Sequence, residues 1–271
     1  MPELPEVETT RIGIAPHVLG EQIKEVIIRD RRLRWPVPKQ LRKILTGSSI
    51  HKLSRRGKYL LFHTETGCVI LHLGMSGSLR ILTDDIPAEK HDHVDFVFES
   101  GSRLRFRDPR RFGCILWTTD DPEIHPLLSN LGPEPLSENL DGDYLFKKSR
   151  KRTQSIKTFI MDSRIVVGIG NIYANEALFT AGIHPKRKAG KITKERYQKL
   201  SSAIKDVLKQ ALAKGGTTLR DFVNGQGEPG YFRHELQVYD RAGKPCFICN
   251  TLLKTERIGQ RSAFYCSHCQ Y

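Results

Sequence analysis

No apolar run in these 271 residues approaches the roughly 20 that a membrane-spanning helix needs, so a bilayer-crossing segment is not expected. The N-terminus lacks a basic stretch followed by an apolar one, which argues against a signal peptide. Nothing in the chain has the pattern of a basic amphipathic anchor either. Internal repeats and low-complexity tracts are missing. Acidic side chains are scarce: thirty Asp and Glu face forty-four Lys and Arg, a formal charge of +14. The shortage is uneven. Residues 1–133 hold twenty basic and seventeen acidic side chains, whereas residues 134–271 hold twenty-four and thirteen. Such a balance attracts polyanions, of which nucleic acid is the commonest. Together these features predict a soluble cytoplasmic protein whose thiols stay reduced.

The length is enough for a real core and two domains. Residues 3–19 place Val7, Ile12, Ile14 and Val18 among charged neighbours, a helix signal closed by Gly20. Short β-rich runs follow: Glu25–Arg29, Tyr59–His63, Cys68–Leu73, Asp95–Glu99, Arg103–Arg107 and Cys114–Thr118. Many short strands with few helices between them predict a β-sandwich. Asn130–Gly142, with Pro133 and Pro135, reads as a linker. Beyond it, helices are expected over Gln154–Met161, Asn171–Ala181 and Thr193–Lys214, a glycine-rich loop over Gly215–Phe232, and a separate small unit in the last thirty residues. The fold class is α+β.

The chain opens Met1-Pro2-Glu3-Leu4-Pro5-Glu6. Removal of Met1 is expected before a residue as small as proline, which would leave Pro2 with a free secondary amine. An α-amino group titrates near ~8, so a neutral fraction exists at pH 7. That amine can attack an electrophilic carbon and form an iminium. Glu3 stands beside it as a proton donor and acceptor. A frayed terminus with two solvated acids is the alternative.

Cys246-Phe-Ile-Cys249 and Cys266-Ser-His-Cys269 have the spacing of a four-thiolate zinc site, with room for one β-hairpin between the pairs. Four protein ligands leave no open position, so the one ion per chain would be structural. Cys68 and Cys114 sit in apolar strands and read as inert core. Arg257, Gln260 and Arg261 fall within the hairpin, either as a basic probe for phosphate or as solvated charge.

Val166-Val167-Gly168-Ile169-Gly170-Asn171 begins like a dinucleotide fingerprint, but Tyr173 stands where the third glycine belongs. It reads instead as a tight turn with Asn171 capping the next helix. The free N–H groups there would hold a phosphate or serve as a cap alone. Lys157 and the run Arg150-Lys151-Arg152 lie close by in sequence. Asp108-Pro109-Arg110-Arg111-Phe112-Gly113 displays guanidiniums beside a ring that can wedge between bases, or else is a surface turn. Glycines around Met75 suggest a loop tip. Lys58 reads as a phosphate ligand or a solvated charge, and His91 as a polar DNA contact or part of a weak metal pattern.

With these motifs in place, the sequence resembles the bacterial formamidopyrimidine-DNA glycosylases from Pro2 to the last cysteine. PELPEVET, HLGMSGSLR, DPRRFG, VVGIGNIYANEALF, GGTTLRDF, GYF, ELQVY and the cysteine quartet carry the resemblance in order. It implies an N-terminal β-sandwich with flanking helices (1–133), a linker (134–150), a helical domain with a helix–two-turn–helix (151–235), and a zinc-finger hairpin (236–271). It also implies excision of 8-oxoguanine and formamidopyrimidines from duplex DNA, followed by β,δ-elimination. By that resemblance Pro2 is the nucleophile, Glu3 the acid in glycosidic cleavage, and Lys58 and Arg261 act in the two eliminations. His91, Arg110 and Arg152 match DNA contacts, although Arg-Lys-Arg replaces a lysine-rich stretch around 152. Met75, Arg110 and Phe112 match the trio that fills the void left by the extruded nucleotide. Lys157 and Asn171 match the backbone grip, and residues 215–232 a lesion-covering loop. A monomer without an obligate protein partner is expected. An endonuclease VIII-type enzyme is disfavoured by Leu4 and by the Met75/Arg110/Phe112 set. A non-catalytic zinc regulator leaves the Met-Pro-Glu opening unexplained.

Overall fold

The computed structural model describes residues 2–216 and 236–271. Among these, residues 2–129 with 214–216 form one compact unit, and 130–213 with 236–271 form a second. From Thr217 on, the expected lesion-covering loop lies outside the described residues.

The first unit begins with helix α1 (Leu4–Val18). Glu3 and Glu6 form a capping box, Pro5 occupies the first turn where no N–H is needed, and Gly20 leaves the helix at φ +79°. Strands β1 (Ile23–Ile28), β6 (Asp92–Phe98), β7 (Arg103–Arg107) and β5 (Ser78–Leu82) make one antiparallel sheet in the order β1-β6-β7-β5. Strands β2 (Lys52–Arg56), β3 (Tyr59–Thr64), β4 (Gly67–His72) and β8 (Cys114–Thr118) make the other, in the order β2-β3-β4-β8. Their inner faces share one core with the apolar side of α1, through Val7, Ile14 and Val18. Phe62 of one sheet stacks on Phe96 of the other at 6.4 Å between ring centroids. This is the expected β-sandwich. Strands β2 and β5 and the short helix α2 (Leu41–Leu45) had no clear sequence signal, since each is only five residues long.

The second unit contains α3 (Gly142–Ser149), α4 (Ile156–Met161), α5 (Asn171–Thr180), α6 (Lys194–Ala213) and a hairpin of β9 (Lys254–Ile258) with β10 (Arg261–Tyr265). Helix α3 falls inside the segment expected to be linker. It starts on Asp141, whose carboxylate accepts the Tyr144 N–H at 2.6 Å. The hairpin belongs to the same unit as the helices. Asn175 of α5 accepts the Phe264 N–H at 2.9 Å, and Gln270 donates to the Ile183 carbonyl at 2.9 Å. The buried Glu176 carboxylate accepts the N–H groups of Gln237, Val238 and Tyr239 at 2.8–3.0 Å.

Candidate active site and nucleic-acid interface

Pro2 and Glu3 are buried at the N-terminal end of α1, and Glu3 is only 2 % exposed. The Glu3 N–H donates to the Glu6 carboxylate at 2.7 Å, which fixes the entry of the chain into the helix. Glu8, one turn on, ties α1 to β2 through Arg55 at 2.9 Å and also binds Arg11 at 2.7 Å. Burial opposes its charge, yet hydrogen bonds from both arginines hold its carboxyl below the ordinary value.

Lys58 occupies the two-residue turn that closes the β2–β3 hairpin, after Gly57 at φ +58°. His72 lies near it, with its ring 4.8 Å from that of Tyr59. Burial, then the charges of Lys58 and Arg34, push the His72 pKa down to about 4, so the ring is neutral at pH 7. Its Nδ1 accepts the Gly74 N–H at 2.8 Å. Sequence reasoning overlooked His72. Its signal was the histidine immediately before the Leu-Gly-Met-Ser-Gly loop.

Met75 is half-buried in that loop, where Gly74 adopts φ +68°. The loop lies directly against the Arg110–Gly113 turn: a Cβ on Gly74 would stand 2.4 Å from the Gly113 nitrogen. Arg110 is exposed and packs its guanidinium over the Phe112 ring at 4.8 Å, and Phe112 is itself 46 % exposed. Arg111 is committed elsewhere, pairing with Asp30 at 2.6 Å. His91 is half-buried, and its Nδ1 has no hydrogen-bond partner among the described residues.

In the second unit, Lys157 is 1 % exposed and its ammonium donates to the Ser262 carbonyl at 2.6 Å. Asn171 was expected to cap α5, but the cap residue is Gly170, and Asn171 is the first helical residue. Its side-chain amide donates to the same Ser262 carbonyl at 3.1 Å, leaving Oδ1 without a partner among the described residues. A tertiary acceptor has taken the side chain away from capping. Arg152 is exposed beside an open pocket of about 630 Å³ lined also by Tyr144, Lys147, Lys148, Arg150 and Lys151. Arg150 points inward, bonding the Ile192 carbonyl at 2.9 Å and covering the Phe146 ring at 3.9 Å. No carboxylate pairs with Lys147, Lys148, Lys151 or Arg152 among the described residues, so this face can attract phosphate. Lys147 and Lys148 were missed because they sit in the helix read as linker. Arg261 is exposed at the start of β10, after the turn residues Gly259 and Gln260 at φ +55° and +63°.

The four thiols of Cys246, Cys249, Cys266 and Cys269 lie within 4.8 Å of one another, with close pairs at 3.4 and 3.9 Å. Tetrahedral zinc with Zn–S of ~2.3 Å requires sulfurs about 3.8 Å apart, so the set fits the ion. The Ile248 and Cys269 N–H groups point at Cys246 and Cys266 sulfurs, both at 3.4 Å, supporting thiolate charge. The four-thiolate site is closed and structural, and it holds one zinc.

A β-sandwich with a buried Pro-Glu terminus, joined to a helical unit that grips a zinc hairpin, defines a class of zinc-bearing DNA glycosylases. Family models agree: the formamidopyrimidine-DNA glycosylase N-terminal domain matches residues 1–115, its H2TH domain 131–223, and the zinc finger found in FPG and IleRS 243–270. A formamidopyrimidine-DNA glycosylase of Marinobacter nauticus is 61% identical over 270 residues, covering 100% of both chains. Two Lactococcus lactis FPG structures are similar. A mutant bound to Fapy-dG-containing DNA has a TM-score of 0.92 at 34% identity, covering 99% of each chain. A complex with DNA containing an abasic site has a TM-score of 0.91 at 33% identity, again covering 99% of each. This chain belongs to the formamidopyrimidine-DNA glycosylase family, and is thereby a DNA-binding repair enzyme with glycosylase activity. Among its described residues no helix is long and apolar enough to cross a membrane.

Proposed function

We propose that the protein excises oxidised purines, 8-oxoguanine and formamidopyrimidines, from duplex DNA and then cleaves the abasic strand by β,δ-elimination. The observation that carries this reading is the seat of Pro2 and Glu3: both are buried, and the capping box fixes Glu3 at the start of α1 instead of letting it fray into solvent. Burial and the positive end of α1 disfavour an ammonium at Pro2 and favour the neutral, nucleophilic amine.

The Pro2 nitrogen attacks C1′ of the damaged nucleoside, and the base departs with a proton relayed by Glu3. Opening of the sugar gives an iminium between Pro2 and C1′. The iminium acidifies the C2′ proton. Its loss expels the 3′ phosphate with Lys58 as proton donor, and a second elimination served by Arg261 expels the 5′ phosphate. The lesion must leave the stack first, at a cost of a few kcal/mol. Met75, Arg110 and Phe112 offset that cost by filling the void, with Arg110 donating to O2 and N3 of the opposite cytosine. His91 and Arg152 hold the backbone. So does Asn171, whose unpartnered Oδ1 marks a polar position not yet used by the fold, while the buried Lys157 supports that grip from behind by holding the Ser262 carbonyl. The enzyme works as a cytoplasmic monomer. The likeness to FPG complexes with Fapy-dG and abasic-site DNA supports both halves of the reaction.

Borohydride added during reaction with an 8-oxoguanine duplex tests the scheme. It should reduce the iminium to a stable adduct that mass spectrometry places on Pro2 of protein lacking Met1. An adduct on a lysine overturns the assignment.

A further inference from the structure

Asp108 is fully buried, yet it takes no part in the chemistry proposed above. Its carboxylate accepts the Ser76 hydroxyl at 2.8 Å and the Gly113 N–H at 2.8 Å, with a longer contact from the Arg110 N–H at 3.3 Å. Ser76 follows Met75, and Gly113 follows Phe112. The same carboxylate therefore holds the loop that carries Met75 and the turn that carries Arg110 and Phe112. The peptide of Asp108 extends the connection to a third segment. Its N–H donates to the His91 carbonyl at 3.1 Å, and its carbonyl bonds the ring of buried His93 at 2.8 Å. Three segments far apart in sequence meet at one residue.

The loops cannot drift independently. Gly74 and Gly113 are in backbone contact, with room for no Cβ on either: at Gly113 it would stand 2.6 Å from the His72 carbonyl oxygen. Arg111 adopts φ +58° in the turn, a strained conformation for a side-chain-bearing residue that its surroundings must sustain. The Asp108 bonds to Gly113 and Arg110 bracket that residue.

We propose that Asp108 is a positioning residue that locks the spacing of Met75, Arg110 and Phe112, so that reading of the opposite base depends on the insertion loops being held as one piece. The inference rests on the proposed void-filling and cytosine-reading role of those three residues. Asparagine at 108 keeps the shape but offers one acceptor oxygen where two are used, and turns an N–H₂ toward the Gly113 N–H or the Ser76 hydroxyl. The turn then loses its fixed distance from the Met75 loop.

The experiment compares excision of 8-oxoguanine opposite cytosine and opposite adenine under single turnover for native protein, Arg110→Ala, Asp108→Asn and Ser76→Ala. A purely structural defect slows both reactions alike and leaves their ratio unchanged. Positional loss narrows the ratio, because a bidentate contact worth a discrimination of roughly 5- to 100-fold is misaligned. Asp108→Asn should narrow it by at least about fivefold, and Ser76→Ala in the same direction by less. Should Asp108→Asn not fold, Ser76→Ala decides, since it removes only the bonds between the two loops. A native ratio in a folded Asp108→Asn, or in Ser76→Ala when that variant decides, overturns the inference, provided Arg110→Ala has narrowed the ratio. If Arg110→Ala keeps the full cytosine preference, the void-filling reading itself fails, and the inference falls with it.

Discussion

Replacing Cys249 by serine should unfold the hairpin of β9 and β10 while leaving the β-sandwich intact. Structural zinc supplies on the order of 10–16 kcal/mol of folding free energy in isolated fingers. That equals or exceeds the whole stability of a typical domain, about 5–15 kcal/mol. The apolar core of this hairpin is small. Its buried cluster consists of Phe179, Val238, Cys246, Leu253 and Cys266, and two of these five are themselves ligands. A serine hydroxyl is a poor replacement for a thiolate at neutral pH, so the ion should leave. With the hairpin lost, the Ser262 carbonyl no longer receives Lys157 and Asn171, and the buried Lys157 ammonium loses a partner. Zinc content by atomic emission and amide hydrogen exchange resolved by segment would follow both events. The expected result is no bound zinc, fast exchange over 254–265, native protection over β1–β8, and a collapse of DNA affinity. A zinc-free variant whose β9–β10 amides remain protected would refute the reasoning, because the metal would then contribute little to that fold.

Salt should weaken DNA binding by roughly 10³–10⁵ between 50 and 200 mM if six to ten phosphates are neutralised, and Arg152→Ala should make the log–log slope shallower by about 0.9, as read by fluorescence anisotropy. An unchanged slope removes Arg152 from the backbone contacts. Glu176→Ala removes the shared acceptor of the N–H groups at 237–239, and losing it at the buried Val238 N–H alone costs ~1–3 kcal/mol, so the thermal midpoint of the second unit should fall while that of the β-sandwich does not. The His72 pKa is lowered to about 4, so the unfolded chain, with its ordinary value near 6.5, takes up the proton first. Stability from this group is therefore complete above pH 6.5 and is lost as pH falls toward 4, by about 2 kcal/mol between pH 7 and pH 5. His72→Gln should flatten that part of the pH–stability curve, and an unchanged acid slope would show that the ring titrates normally.

The cysteine quartet was legible because metal geometry demands a fixed spacing, and the strands Arg103–Arg107 and Cys114–Thr118 because alternation and turn residues bound them on both sides. Helix α3 was hidden by the prolines and glycines before it, though Asp141 was a true start signal. Asn171 has the right chemistry for a cap, but capping is a local preference, and the Ser262 carbonyl ninety-one residues away competed successfully for its amide. Lys157 was expected at the DNA backbone, and nothing in its neighbours announced that a distant carbonyl would bury it. Asp108 was equally silent. Its motif was plain, but its partnership with Ser76 spans thirty-two residues and exists only once β5 and β7 have paired.

The helices grip the zinc hairpin through its main chain. Lys157 and Asn171 address a carbonyl, Asn175 an N–H, and Glu176 three N–H groups just before the finger, while the Ser262 side chain faces solvent. These particular contacts are blind to side-chain identity, whereas the Lys186–Glu256 ion pair, the His184–Tyr265 ring contact and the packing of Phe179 depend on it. The backbone contacts thus fix the path of the finger on α4 and α5, and the few side-chain contacts select which finger follows it. Gln260, at its exposed tip, can change without disturbing the joint that carries it, and the joint holds Arg261 out beside it for the proposed second elimination.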